Sequence, residues 1–403
     1  MVDLPEHDAE VIVVGGGPSG AATAIHLARR GRRVLLLEGR DFARPRAADM
    51  RSGEVLSPGA QRELATLGLP CDRATWRLEP FDALRDHWPN GRVTHDPLPP
   101  GLAFWQTDRG LLDRALFAFA RAEGVDARDG RRVENILRDG AGAPCGVATK
   151  ATRAGVARAW RAPLVVDASG RRSVIVARLG LKRPEPAFRR VALVLFFADM
   201  PDCPPGTWEQ HFFGAHNTTL RGSRMRPELY RYSFETDLAY RDRFAARHGK
   251  LPPRELALAM LAELRPALAA RFAAAHALPY SVAYAPVGYR VPAIAHDGLI
   301  MVGDAAGYLD PSTGQGIEFA LRTARLAAAV IDGAIAARDY RRAAFTPYLQ
   351  GRRREMDGAA RALRLYLRLS RHEPLLNLFS RVQPARALAT RALVTPRPGS
   401  HLA

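Results

Sequence analysis

A chain of 403 residues, 47% of them apolar, has material for two or three domains and a large buried core. Three cysteines (Cys71, Cys145, Cys203) without metal-ligand spacing argue against a disulfide framework or a metal site; no stretch approaches the roughly 18 apolar residues of a membrane span, and the start MVDLPEHDAEVIVV lacks a signal peptide's basic and apolar regions, so a cytoplasmic chain is expected. The formal charge is +18, but no recognition motif accompanies it, and no nucleic-acid partner is expected.

In chain order, EVIVV (10–14) reads as a buried parallel strand, AATAIHLARR (21–30) as a helix and RRVLLLE (32–38) as the next strand. Between the first two stand Gly15, Gly17 and Gly20, spaced G-x-G-x-x-G, with Pro18 and Ser19 inside the motif. Gly15 permits the tight turn, Gly17 lets the backbone approach a pyrophosphate, and Gly20 lets the helix pack close to the strand. Unpaired N–H groups at the helix start attract phosphate. Glu38 closes the second strand 18 residues past Gly20, where a carboxylate accepts from ribose hydroxyls. A dinucleotide is therefore expected, and this unit alone leaves flavin and nicotinamide both open.

Further along, TDRGLLDRAL starts a helix at Arg109. PLVVDASGRRSVIVARLGL (163–181) gives a strand, Asp167, a Ser-Gly turn and a helix. From 186 to 288, four strand-like runs (RRVALVLFFADM, WEQHFFGAHNTT, ELYRYSFETD and YSVAYAPVGYR) predict a mostly antiparallel sheet, with one helix, RELALAMLAELRPALAARFAAA, before the last. Alternation puts Trp208 and Gln210 on one face of their strand and Glu209 and His211 on the other. His211, Trp208, Tyr230 and Tyr232 are candidates to face a bound cofactor. The apolar run GLIMVG leads to Asp304, a glycine-bearing loop and a long helix from Ile317. The tail 346–403 reads as helical, broken at Pro374 and Pro384. From Arg338 onward it carries 14 arginines against 4 acids. Its arginine–leucine interleaving suits a membrane surface or a partner, with packing on its own domain as the alternative.

The glycine motif, DASGRRS and GDAAGYLDPSTGQGIEFAL (303–321), in that order, resemble the FAD-dependent aromatic hydroxylase superfamily. RSGEVLSPGAQRELATLGL (51–69) is similar to the branch shared by flavin-dependent halogenases and geranylgeranyl reductases. The resemblance spans residues 8 to 345. It implies an α/β fold: a discontinuous Rossmann-like FAD-binding domain (1–75, 105–185 and 289–345), a mostly antiparallel substrate domain (76–104 and 186–288), and a helical C-terminal region (346–403). It implies FAD, with Asp304 accepting from a ribityl hydroxyl. Pro311, Gly314, Gln315, Gly316 and Ile317 would lie at the isoalloxazine, Arg109 would touch the cofactor, and Arg40 and Arg51 would contact phosphate or ring. Glu54 is placed near the ring.

The implied activity is FAD-dependent monooxygenation of an electron-rich aromatic substrate. That substrate is bulky or protein-borne, such as a tryptophan in quinone-cofactor maturation, or carrier-bound. Electrons come from NAD(P)H or a separate flavin reductase. Two features of the halogenases are absent, the W-x-W-x-I-P motif and a relay lysine; the chain's only lysines are Lys150, Lys182 and Lys250, and Arg62 stands near the relay position by spacing. The alternatives are a prenyl-chain reductase and a non-catalytic flavin-binding partner protein. No catalytic side chain is assigned, because the cofactor carries the reactive atom.

Overall fold

A computed structural model describes residues 7–43, 53–69, 76, 79–151 and 157–394. Arg51 and Cys71 lie outside the described residues. The chain opens with β1 (Val11–Val14), α1 (Pro18–Ala28), β2 (Val34–Leu37), β3 (Gly53–Leu56) and α2 (Pro58–Thr66), then β4 (Glu79–Phe81), β5 (Ala83–His87), β6 (Val93–Pro97) and β7 (Phe104–Asp108). Next come α3 (Arg109–Ala122), β8 (Asp126–Arg128), β9 (Arg131–Arg138), β10 (Pro144–Ala151), β11 (Ala157–Arg161), β12 (Leu164–Asp167), α4 (Val174–Arg178) and β13 (Arg183–Pro184). The middle holds β14 (Arg190–Phe197), β15 (Thr207–Phe212), β16 (Thr219–Arg226), β17 (Leu229–Asp237), α5 (Leu238–His248), α6 (Pro253–Leu264), α7 (Pro266–Ala274) and β18 (Ala277–Tyr284). The last part holds β19 (Tyr289–Arg290), β20 (Ala295–His296), β21 (Leu299–Met301), β22 (Gly307–Tyr308), α8 (Gly316–Ala337), α9 (Thr346–Leu369), α10 (Glu373–Phe379) and α11 (Gln383–Val394).

Two sheets organise the molecule. The first runs β20-β21-β12-β1-β2-β8 and is parallel apart from β20. Its four-residue runs VIVV, VLLL and LVVD are wholly buried, as strands covered on both faces must be. β1 lies between β2 and β12, so the chain leaves its C-terminal end at the point where strand order reverses. Such a crevice is where open α/β sheets bind ligands. The second sheet runs β18-β14-β17-β16-β15-β5-β6, antiparallel except for β15 on β5. One face packs Val191, Leu193, Leu195, Tyr232 and Phe234 against α5, α6 and α7. The other face looks toward the first sheet.

The structure departs from the sequence reading at three places. The helix over 254–275 is two helices: Arg265 is extended (φ −156°, ψ 84°), because the residue before Pro266 is sterically pushed out of helical space. The run WEQHFFGAHNTT stops as a strand at Phe212, since Gly214, His216 and Asn217 adopt positive φ and turn the chain. The strand β16, TLRGSRMR, was not foreseen. It carries buried Arg221 and Ser223, so it lacks the apolar alternation that marks a strand.

From Thr346 to Val394 the tail is helical and breaks near Pro374 and Pro384. It returns to the second sheet: Arg386 is buried and forks onto Asp96 of β6 (Nε–Oδ2 2.9 Å, Nη2–Oδ1 3.3 Å), and Phe379 meets Trp88. The opposite side exposes Leu365, Leu369, Leu375, Leu378, Val382 and Leu388 among arginines. No helix among the described residues is long and apolar enough to cross a membrane.

Candidate functional site

A cavity of about 400 Å3 runs from the glycine turn to the underside of the second sheet. Gly15 sits at φ +104°, and a Cβ there would lie 2.6 Å from the Ala168 carbonyl oxygen. A Cβ on Gly20 would overlap the Gly15 carbonyl oxygen, so α1 reaches the strand only because both residues are glycine. At Gly17 a Cβ would enter nearly open space, with Arg109 Nη2 at 3.3 Å its one neighbour within 4 Å. Gly17 is the N-cap of α1 and Pro18 follows it, so the first turn's N–H groups face the cavity floor.

Gly15, Gly17, Pro18, Ser19, Glu38, Arg40, Arg109, Asp304, Pro311, Gly316 and Ile317 all line this cavity. Gly20 is buried behind the turn. Glu38 is already engaged: its carboxylate accepts from the Gly16 N–H (2.7 Å), the Arg40 N–H (2.7 Å) and the Arg40 guanidinium. Gly314 lines a neighbouring cavity, and Gln315 lines a third and smaller one that shares Asp304, Tyr308 and Gly316 with the main cavity.

Asp113 was missed by sequence reasoning and joins the two cationic candidates. Its carboxylate is 1% exposed and accepts from Arg40 Nη1 (2.7 Å) and Arg109 Nε (2.7 Å). Burial disfavours the Arg109 charge, but Asp113 and Glu54 outweigh it and hold the guanidinium above its usual range. The signal was present as an i,i+4 arginine–aspartate pair in RGLLD. Arg171, inside DASGRRS, was also missed. It lines the cavity, donates to Val287 O (2.9 Å), and lies over the Tyr284, Tyr289 and Tyr308 rings. Asp167 is occupied structurally, accepting from Ser169 (N 3.0 Å, Oγ 2.5 Å) and from the Ser173 hydroxyl.

Asp304 follows β21, and its backbone oxygen accepts from Tyr289 OH (2.5 Å). Its side chain has no hydrogen-bond partner among the described residues and borders the cavity. Burial pushes its carboxyl up, against the pull of Arg171 and Arg109. A glycine floor with free donors, flanking arginines and an unengaged carboxyl suit a dinucleotide with a polyol arm.

The 310–316 turn is bolted to the second sheet by a cluster that sequence reasoning did not find. Arg190 (β14), 1% exposed, forks onto Asp310 (Nη1 to both oxygens, 3.0 Å) and Ser312 Oγ (2.9 Å). Arg221 (β16) donates to the Ser312 carbonyl (2.7 Å) and pairs with Glu235 (β17). Burial opposes the Glu235 charge, yet Arg221 and Arg190 hold its pKa below the ordinary value. Two arginines and two carboxylates balance, as buried charges require.

Beyond the turn lies a second cavity of about 120 Å3. Phe81, Phe104 and Trp208 form one wall, with ring centroids 5.2 Å (Phe81–Phe104) and 5.1 Å (Phe81–Trp208) apart. Glu54, Arg231, Ser233, Tyr308, Pro311, Gly316 and Ile317 border both cavities, so the two meet at the turn. Arg231 Nε has no hydrogen-bond partner among the described residues. Gln210 lines the second cavity and donates to buried Asp86 (2.9 Å). Burial pushes the Asp86 carboxyl up to about 7.

Of the four candidates on the second sheet, Trp208 alone faces these cavities. His211, Tyr230 and Tyr232 belong to the opposite face, as period-two alternation demands once Trp208 points inward. There Glu209 accepts from Arg271 (2.7 and 3.1 Å) and Tyr232 OH (2.6 Å). His87 and His211 Nε2 approach the same oxygen at 3.1 Å without hydrogen-bond alignment. Their rings stack at 4.1 Å. Parallel rings do not aim two lone pairs at one ion, and the arginine fork holds the carboxylate, so the cluster is a structural hub.

Comparison with known proteins agrees with this geometry. The chain is 25% identical over 385 residues to the 1H-pyrrole-2-carbonyl-[peptidyl-carrier protein] chlorinase of Pseudomonas fluorescens, covering 86% of this chain and 80% of that protein. It is 26% identical over 350 residues to the digeranylgeranylglycerophospholipid reductase of Methanoculleus marisnigri, covering 85% and 81%. The fold matches the flavin-dependent brominase Bmp2 at a TM-score of 0.79 and 22% identity, covering 96% of this chain and 93% of that one. The family model described as FAD binding domain matches residues 8–335. The chain therefore belongs to that family and is an FAD-dependent oxidoreductase.

Proposed function

We propose that the protein is a monooxygenase that hydroxylates an electron-rich aromatic ring. The observation that carries this reading is the aromatic cavity of Phe81, Phe104 and Trp208, which meets the cofactor cavity at Glu54, Arg231 and the 311–317 turn. In it, Gly17 and the N-terminus of α1 hold the pyrophosphate, Asp304 holds the ribityl chain, and Arg109 and Arg40, fixed by Asp113, stand beside the diphosphate. Pro311, Gly316 and the N-terminal turn of α8 border the ring, with Gly314 on the substrate side. When bound and reduced, FAD supplies the electrons that activate dioxygen. The stacked aromatic wall orients a flat substrate and excludes water, and Arg231 offers an unused donor to a substrate oxygen.

The relative named for a peptidyl-carrier substrate supports a ring delivered on a carrier or polypeptide. Halogenation is disfavoured because none of Lys150, Lys182 and Lys250 lines either cavity. A prenyl-chain reductase is the second reading, favoured by the lipid-reductase relative and by the exposed leucines of the tail.

The test supplies FAD-loaded protein with NAD(P)H, or with a separate flavin reductase, and phenols and indoles both free and carrier-bound. Oxygen uptake with a product heavier by one oxygen atom is expected. Oxygen-independent reduction of prenyl alkenes, or a product that appears only with halide, overturns the reading.

A further inference from the structure

The seam between α9 and the strand pair β19–β22 encloses a groove of about 400 Å3 that plays no part in the reading above. Arg352 forms part of its lining and is 7% exposed. Its Nη2 donates to the Gly307 carbonyl (3.3 Å), Tyr348 lies beside it, and its Nε has no hydrogen-bond partner. No carboxylate lies within ion-pair distance of it among the described residues, and Asp304 attracts it only through space. Burial pushes this guanidinium below its ordinary pKa. A buried charge in that condition is costly unless an anion joins it.

The rest of the groove points the same way. Arg290, Arg342 and Arg364 line it and are exposed, and their guanidiniums form no ion pair among the described residues, although the Arg342 backbone N–H donates to Asp297 (2.6 Å). Arg353 pairs with Asp357 at 3.5 Å, and Glu185 is the other acid present. Five arginines face two acids, a surplus that a dianion balances better than a carboxylate. Guanidinium forks match phosphate oxygens in geometry. Val291, Ile294, Leu309 and Leu349 supply an apolar wall. The groove shares Gly307, Leu309 and Met356 with a cavity of about 70 Å3, which in turn borders Asp304, Tyr308 and Gly316 at the rear of the flavin turn.

We propose that this groove is a binding site for a phosphate ester, with Arg352 as the buried anchor, Arg290 and Arg364 at the mouth, and the ester's uncharged arm along the apolar wall toward Met356. The site is separate from the cofactor cavity and stands whatever the reaction class.

Calorimetric titration of the FAD-loaded protein tests it, with the cofactor cavity already filled. The probes are inorganic phosphate, coenzyme A, NADP+ and dihexanoyl phosphatidic acid as a monomer. Saturable binding of at least one ester, tighter than inorganic phosphate, is expected; which ester binds separates a soluble source from a lipid headgroup. The double variant Arg290→Gln/Arg364→Gln weakens it roughly tenfold, about one charge-assisted hydrogen bond, with FAD content and melting temperature unchanged. Arg352→Met removes it; if that variant does not fold, the surface double variant decides. No saturable binding by any probe, equal affinity for phosphate and every ester, or full affinity in the double variant overturns the proposal.

Discussion

Arg109 and Asp113 show how one carboxylate sets the geometry of two cations. Asp113 holds the Arg40 and Arg109 guanidiniums at 2.7 Å each, and Arg109 Nη2 stands closest to the open face of Gly17. Removing a charged hydrogen-bonding group beside a diphosphate costs about 1.5–3 kcal/mol. Arg109→Met is therefore expected to weaken FAD binding roughly tenfold or more, read as quenching of flavin fluorescence. An unchanged dissociation constant would remove Arg109 from the cofactor site. Asp86 acts on a different quantity. Its folded pKa of about 7 lies above the ordinary 3.8, so its contribution is fully present at low pH and is lost as pH rises toward 7. Asp86→Asn should raise the urea midpoint at pH 8, by at most about 4 kcal/mol in stability, and leave it unraised at pH 4. His211 carries the opposite sign. Burial lowers it from 6.5 to about 4, against the pull of Glu209, so the unfolded chain takes up its proton first and stability falls as pH drops through that window. His211→Gln should flatten the loss between pH 6.5 and 4 in the same urea titration. A variant as acid-sensitive as the parent would count against it.

The 310–316 turn, proposed to border the flavin ring, is positioned by strands far away in sequence. Arg190 and Arg221 reach Asp310 and Ser312 from β14 and β16. Asp310→Ala leaves Arg190 buried beside a single remaining carboxylate, and breaking such a pair costs about 3–5 kcal/mol. Chemical denaturation should show that loss. A cost below about 1 kcal/mol, within the range of exposed pairs, would mean the cluster is not what holds the turn. Trp208→Ala is the complementary case: FAD content should hold while KM for the proposed aromatic substrate rises. The same elements show what was legible in the sequence. The βαβ unit with its glycines was readable because local pattern dictates it: apolar strand, forced positive φ at Gly15, helix start. Asp304 and the 311–316 turn were named by resemblance, and the structure brings Asp304, Pro311 and Gly316 to the main cavity. The Arg190–Asp310–Arg221–Glu235 cluster was not, because its members lie up to 120 residues apart and only tertiary packing joins them. β16 stayed hidden for a related reason. One face carries Arg221 and Ser223 on the cavity side, and the core-facing side offers Leu220 next to Gly222, too few apolar positions for hydrophobic periodicity to register.

At the scale of the whole molecule, the formal charge is +18, and not every arginine adds to it. Some arginines are consumed internally, as Arg386 is by Asp96 and Arg190 by Asp310. The tail reads in sequence as suited to a membrane surface or a partner, or as packing on its own domain; in the structure Leu363, Leu367 and Leu376 are buried, while their neighbours Leu365, Leu369 and Leu378 are exposed. The opposite face of the second sheet, where Glu209 gathers Arg271, Tyr232 and two histidines, belongs to the helical layer and not to the two cavities.

Those uncovered leucines sit in a field of like charge, which sets how two molecules in solution meet. At low ionic strength the arginines repel, and the greasy faces never touch. The Debye length shrinks from about 30 Å at 0.01 M salt to about 3 Å at 1 M, so added salt lifts the repulsion and leaves the apolar attraction intact. Light scattering should therefore report particles that grow as sodium chloride is raised, the reverse of an ion-paired dimer. Leu378→Ser and Leu388→Ser should cancel the growth.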